Sequence, residues 1–133
     1  ANFRTAVVGN DFANDFTSNA TGWTPVYGTW SLSGGTYRTT GVANLSSSIV
    51  QDSTFGDVTF EDRMNRSGGC TTCANRVIVR GSSTALDGGK NWLPSYAFQY
   101  SNAGTYSVYA RNGSGVITIL QTGASSSTLG RTA

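Results

Sequence analysis

The sequence contains no histidine, only 2 cysteines, 2 prolines and 1 methionine in 133 residues, and only 12% of it is charged. Without histidine there is no Ser-His-Asp or Cys-His relay, no imidazole metal ligand and no imidazole pH switch. Two cysteines cannot close a zinc site alone. Nine Lys and Arg against 7 Asp and Glu leave a net charge of +2. That is too little to neutralise many phosphates, so nucleic acid is not expected as a partner, and the balance does not favour anionic targets either. No apolar run approaches the roughly 18 to 20 residues of a bilayer span. The polar Ala1-Asn2 start lacks a charged-then-apolar leader pattern, so a soluble domain without membrane insertion is expected.

What is abundant is Ser, Thr, Asn and Gly, including 17 glycines, a polarity that suits exposed β-structure and turns better than helices. Val58, Phe60, Asp62 and Met64 alternate with Thr59, Glu61 and Arg63, the two-residue period of a strand. Val77 and Val79 oppose Arg76, Ile78 and Arg80, and Tyr96, Phe98 and Tyr100 oppose Ala97 and Gln99. Tyr106, Val108 and Ala110 mark a further strand. Asn112-Gly113-Ser114-Gly115 then predicts a tight hairpin into Val116 to Leu120. Gly28 to Leu32 and Thr36 to Thr39 flank Ser33-Gly34-Gly35 as a second hairpin. Thr5 to Val8, Asp11 to Phe16 and Ala43 to Val50 are weaker strand candidates. No segment of about a dozen residues carries helical spacing. The expected fold is all-β: one domain over residues 1–133, built as two antiparallel sheets packed face to face.

Asp11-Phe12 to Phe16, Gly22-Trp23, Gly28 to Leu32 and Gly34 to Tyr37 follow one another in an order that resembles the opening of concanavalin A-like, laminin G-like jelly-roll domains. Phe55 to Glu61, Asn75 to Gly81, Ser95 to Tyr100 and Tyr106 to Tyr109 resemble the central strands of that superfamily, including its 3-keto-disaccharide hydrolase-like branch. The resemblance covers most of the chain. It implies a two-sheet jelly roll, usually secreted, in which glycan binding is commoner than catalysis. Such domains usually continue past the equivalent of Val116 to Leu120, whereas this sequence ends at Arg131-Thr132-Ala133, so the fold is expected to be incomplete at that end. An open sheet edge invites strand addition. Residues 1–10, with the β-favouring stretch Phe3 to Val8, are a candidate extension or donated strand, and repeated donation would build a filament.

Cys70-Thr71-Thr72-Cys73 follows Gly68-Gly69 and precedes a strand, not the helix start of a thioredoxin-type redox site. A local disulfide between Cys70 and Cys73 fits an extracellular compartment, with two reduced thiols as the alternative. Glycoside hydrolysis needs two carboxyl groups about 5 to 5.5 Å apart for retention, or about 6.5 to 9.5 Å for inversion. Glu61 is the only glutamate, Asp62 points to the opposite face, and Asp57 lies about 13 Å along an extended strand. The Glu-x-Asp-x-Glu pattern of catalytic jelly rolls is absent, and fold alone does not confer activity. The chain is expected not to be an enzyme.

Sugar binding asks for less: flat rings against the C–H faces of a pyranose, with amides and guanidinium forks for its hydroxyls. The candidate carbohydrate-binding residues are Arg76, Arg80, Trp92, Tyr96 and Tyr100, while Trp23, Trp30, Tyr37 and Phe98 read as core. Asp11, Asp15, Asp52 and Asp57 show no calcium-loop spacing, so neither a metal nor a cofactor is expected. Asn19, Asn44, Asn65 and Asn112 head N-glycosylation acceptor triplets, used only where a host glycosylates. The expected function is an extracellular, non-catalytic carbohydrate-binding or adhesive module whose partner is a glycan or other extracellular polymer. The competing expectation is a filament subunit assembled by strand exchange between copies.

Overall fold

Alternating side chains and glycine-rich turns produce, among the described residues, eleven strands, all paired antiparallel. The computed structural model describes residues 3–7, 12–39, 46–50, 56, 58–66, 70, 73–81, 86–88, 91–101 and 103–124. The strands are β1 (Phe3–Val7), β2 (Phe12–Asn14), β3 (Trp23–Tyr27), β4 (Trp30–Leu32), β5 (Tyr37–Thr39), β6 (Ser47–Val50), β7 (Val58–Glu61), β8 (Ala74–Val79), β9 (Ser95–Ser101), β10 (Thr105–Arg111) and β11 (Ile117–Ala124). There is no helix among the described residues. The chain divides into two compact units, Ala1–Arg63 and Met64–Ala133.

In the first unit β1 is the central strand of a three-stranded sheet, between β2 and β7. Both of its edges are therefore occupied by strands of its own chain. β3 pairs with β6, and β4 with β5. The latter is the hairpin read from Ser33-Gly34-Gly35; both glycines have the positive φ that a tight connection requires. Pro25 sits in β3, whose one partner among the described strands is β6, and the register shifts between Pro25 and Tyr27, an edge-strand setting that tolerates proline.

The core of this unit is aromatic. Phe16 is 5% exposed and stacks on Tyr37 at 5.5 Å between ring centroids, while Tyr37 stacks on Trp30 at 4.8 Å and meets Trp23 at 6.0 Å. Trp23, Trp30 and Tyr37 are thus packing residues, as the sequence suggested. Phe16 holds a left-handed φ of 58°, stabilised where the Asn14 side-chain carbonyl accepts its N–H at 2.8 Å.

The second unit is a four-stranded meander in the order β11-β10-β9-β8. The β10–β11 hairpin forms at the expected turn. Asn112 Oδ1 accepts the N–H groups of Ser114 and Val116, each at 3.0 Å, and Gly115 supplies the positive φ of 83°. β11 runs on to Ala124, farther than the apolar run suggested, with a register shift opposite Val108 and Tyr109. Cys70 and Cys73 form a disulfide just before β8.

Candidate functional site

The four-stranded sheet has two unlike faces, because directly opposed residues share a side. Phe98 is opposite Val77 and Val108, and Tyr96 is opposite Val79 and Ala110, so one face is apolar and aromatic. On it Phe98 stacks with Tyr106 at 6.2 Å, and Tyr106 lies over Gly123, where an added Cβ would meet the ring at 2.5 Å. Tyr96 is 47% exposed and Phe98 38%, whereas Tyr100 is buried at 3% and its hydroxyl accepts from Asn75 Nδ2 at 3.0 Å.

Arg76 is opposite Gln99, and Gln99 opposite Ser107, so these residues occupy the other face. There the guanidinium of Arg76 donates through Nε and Nη2 to Gln99 Oε1 at 3.2 and 2.9 Å, and through Nη1 to Asn91 Oδ1 at 2.8 Å. Asn91, 4% exposed, is fixed in turn by Asp87, whose Oδ1 accepts the Asn91 backbone N–H at 2.8 Å and Nδ2 at 3.1 Å. Asp87 N donates back to the Asn91 carbonyl at 3.0 Å, closing the loop over the sheet. A carboxylate thus orients an amide, and the amide orients a guanidinium. This is a pre-ordered polar cluster on a sheet face, not a solvated scatter of side chains.

Tyr109 and Arg111 lie on that face too, beside Ile78, Ile119 and Ile117. Tyr109 is opposite Ala97 and Arg111 opposite Ser95, small residues that leave room for larger neighbours. The Arg76 and Arg111 guanidinium carbons lie 5.9 and 5.5 Å from the centroid of the Tyr109 ring. Burial holds the Arg76 guanidinium below its ordinary pKa; the Tyr109 phenol acts against that shift and repulsion from Arg111 adds to it.

The five candidates from the sequence do not form one surface. Arg76 lies on the polar face, while Tyr96 and Tyr100 lie on the opposite one. Arg80 lies just past β8, which ends at Val79, and has a φ of 52°, so the strand's alternation does not carry it to the side of Arg76. Trp92 is 7% exposed and packs against Gly81, where an added Cβ would meet the Trp92 Cβ at 2.9 Å, which leaves little ring for a sugar. Asp87, Asn91, Gln99, Tyr109 and Arg111 were not singled out by sequence. Their one sequence-level signal was parity: Gln99 alternates against the Tyr96 face. Glu61 ends β7 in the first unit, exposed and in register with Arg4. Among the described residues no group of three or more His, Cys, Asp or Glu could hold a metal ion, and no helix is long and apolar enough to cross a membrane. No protein-family model, curated protein or solved structure matches this chain.

Proposed function

We propose that this chain is an extracellular, non-catalytic carbohydrate-binding module of concanavalin A-like sandwich type, holding sugars on the polar face around Arg76. The observation that carries the reading is the Asp87–Asn91–Arg76–Gln99 chain of hydrogen bonds. It fixes one guanidinium at the sheet surface while using only three of its five N–H donors. Side chains ordered before a ligand arrives lose little entropy on binding, which suits sugar hydroxyls that offer modest energy per contact. The disulfide supports an oxidising compartment. The superfamily resemblance supports glycans as the ligand class.

A glycan array probed with the purified chain tests this, with Ser107→Trp as the variant. Ser107 is opposite Gln99, so an indole there covers the face. The expected result is binding by the native chain, loss in Ser107→Trp with an unchanged melting temperature, and retention in Tyr96→Ala on the other face. No bound glycan, or undiminished binding by a folded Ser107→Trp, overturns the reading.

A second reading is assembly by strand addition, and β11 favours it. Among the described strands β11 has β10 on one side only, and Val116, Ile117, Ile119 and Leu120 are 45 to 60% exposed. An apolar strand with an open edge is a template for a neighbour's backbone. Sedimentation of the native chain against Ile119→Lys separates the two readings: concentration-dependent polymers abolished by the lysine support assembly, and a monomer throughout removes it.

A further inference from the structure

The polar face carries groups that the protein leaves unsatisfied. Tyr109 is 3% exposed, yet its hydroxyl has no hydrogen-bond partner among the described residues, and neither has the buried Nε of Arg111. Both belong to the ring-and-guanidinium arrangement described above, in which Arg76 and Arg111 flank one phenol. Two cations beside one ring repel, and buried donors without acceptors are costly, so the free protein holds this geometry at a disadvantage. Among the described residues the Arg111 guanidinium meets only that ring, with no carboxylate paired to it. The carboxylate of Asp87, on the same side of the sheet, is engaged by Asn91. Both unsatisfied groups can donate, the guanidinium Nε only so, and the two charges are of one sign.

We infer that the saccharide bound on this face is anionic, its oxyanion accepting from Arg111 and the Tyr109 hydroxyl while Arg76 holds the adjoining sugar oxygens. The inference rests on the carbohydrate reading above and narrows its ligand class. Two oxygens of one oxyanion fit the guanidinium fork with two parallel bonds, and the negative charge offsets the Arg76–Arg111 repulsion that a neutral sugar would leave. Local placement decides this, not total charge: the chain as a whole is only +2, yet two of its arginines flank one buried phenol ring. A uronate carboxylate and a sulfate ester share the required chemistry.

Calorimetric titration of the full chain separates these possibilities. The probes are oligouronates (galacturonate, glucuronate and mannuronate series), their methyl esters, and sulfated and neutral oligosaccharides of equal length. The expected result is binding of an acidic oligomer at least about tenfold tighter than its uncharged counterpart, weakening as salt rises. Preference for the acid over its methyl ester assigns the oxyanion to a carboxylate. Preference for the sulfated series alone assigns it to a sulfate ester. Arg111→Gln abolishes the charge preference. Tyr109→Phe weakens binding about fivefold while its melting temperature is equal or higher, because it deletes only a hydroxyl that no described residue bonds. A purely structural role for Tyr109 would not separate affinity from stability in that direction. Equal affinity for charged and uncharged oligomers overturns this inference and leaves the carbohydrate reading standing. Failure to bind any saccharide in the panel removes both.

Discussion

Replacing Asn91 by alanine removes the side chain that links the loop over the polar face to the sheet. Its bonds to two charged groups are lost, to Arg76 at 2.8 Å and to the two carboxylate oxygens of Asp87 at 3.1 and 3.4 Å. The bonds made by the backbone of residue 91 survive, its N–H to the Asp87 carboxylate and its carbonyl from the Asp87 N–H. A hydrogen bond to a charged group contributes about 1.5 to 3 kcal/mol, and a half-buried guanidinium donor is left unpaired. With partial relaxation by water, the Met64–Ala133 unit should lose about 2 to 3 kcal/mol. At a urea slope of about 1.5 kcal/mol per molar, its midpoint should fall by about 1.5 to 2 M. Urea melts followed through amide signals of β9 and β10 report this unit by itself. The companion Arg76→Gln and the double variant complete a cycle, in which the Asn91–Arg76 coupling should be about 1 to 2 kcal/mol. A midpoint change below about 0.3 M, or a coupling near zero, would refute the claim that this network orders the face.

Gly81→Ala places a methyl 2.9 Å from the Trp92 Cβ, an atom too near its own backbone to swing away, and should cost about 1 to 3 kcal/mol by thermal melting. Gly22→Ala should destabilise the Ala1–Arg63 unit by at least about 1 kcal/mol, because Gly22 has a φ of 86° and Phe12 fills the space beside it; an unchanged melting temperature counts against the placement of Phe12. Reducing the Cys70–Cys73 disulfide closes no long loop, so loop-closure entropy limits the loss to about 2 kcal/mol, and the sheet should survive dithiothreitol by circular dichroism. Asp15 should titrate below an ordinary aspartate, chiefly because the Thr17 hydroxyl, then its N–H, bonds the carboxylate. A carboxyl whose folded pKa is depressed adds stability above its unfolded value and loses it as pH falls through the folded one. A carbon-detected titration in which Thr17→Val raises the Asp15 pKa checks this.

Strand identity was legible because it is local. The alternation in Tyr96 to Tyr100 and the Asn112 to Gly115 turn depend on neighbours in sequence, and both formed as read. The site was not legible, because it depends on register. Whether Arg76 sits with Tyr96 or against it is decided by the offset between β8 and β9, and a one-residue slip moves every side chain to the opposite face. The strand sequences do not contain that offset. The left-handed turn at Arg80 is likewise invisible, since an arginine carries no signature of positive φ. The aromatic residues misled in both directions. Trp92 looked like a stacking platform and is buried against Gly81, while Phe98 looked like core and is 38% exposed. Bulk apolar character fixes a preference for burial, not the face on which a partner waits. The Cys70–Cys73 pair was legible because geometry and spacing are both local.

Side-chain nitrogen–proton spectra of the arginines give the most direct test of ligand binding at this face, because each guanidinium Nε–H is a separate reporter. Titration with the oligosaccharide that binds most tightly should shift the Nε–H signals of Arg111 and Arg76 together, saturating at one ligand per chain, with the ring signals of Tyr96 and Phe98 unmoved. Shifts confined to Tyr96 and Phe98, with both arginine signals stationary at saturation, would place the ligand on the opposite side of the sheet and contradict the account.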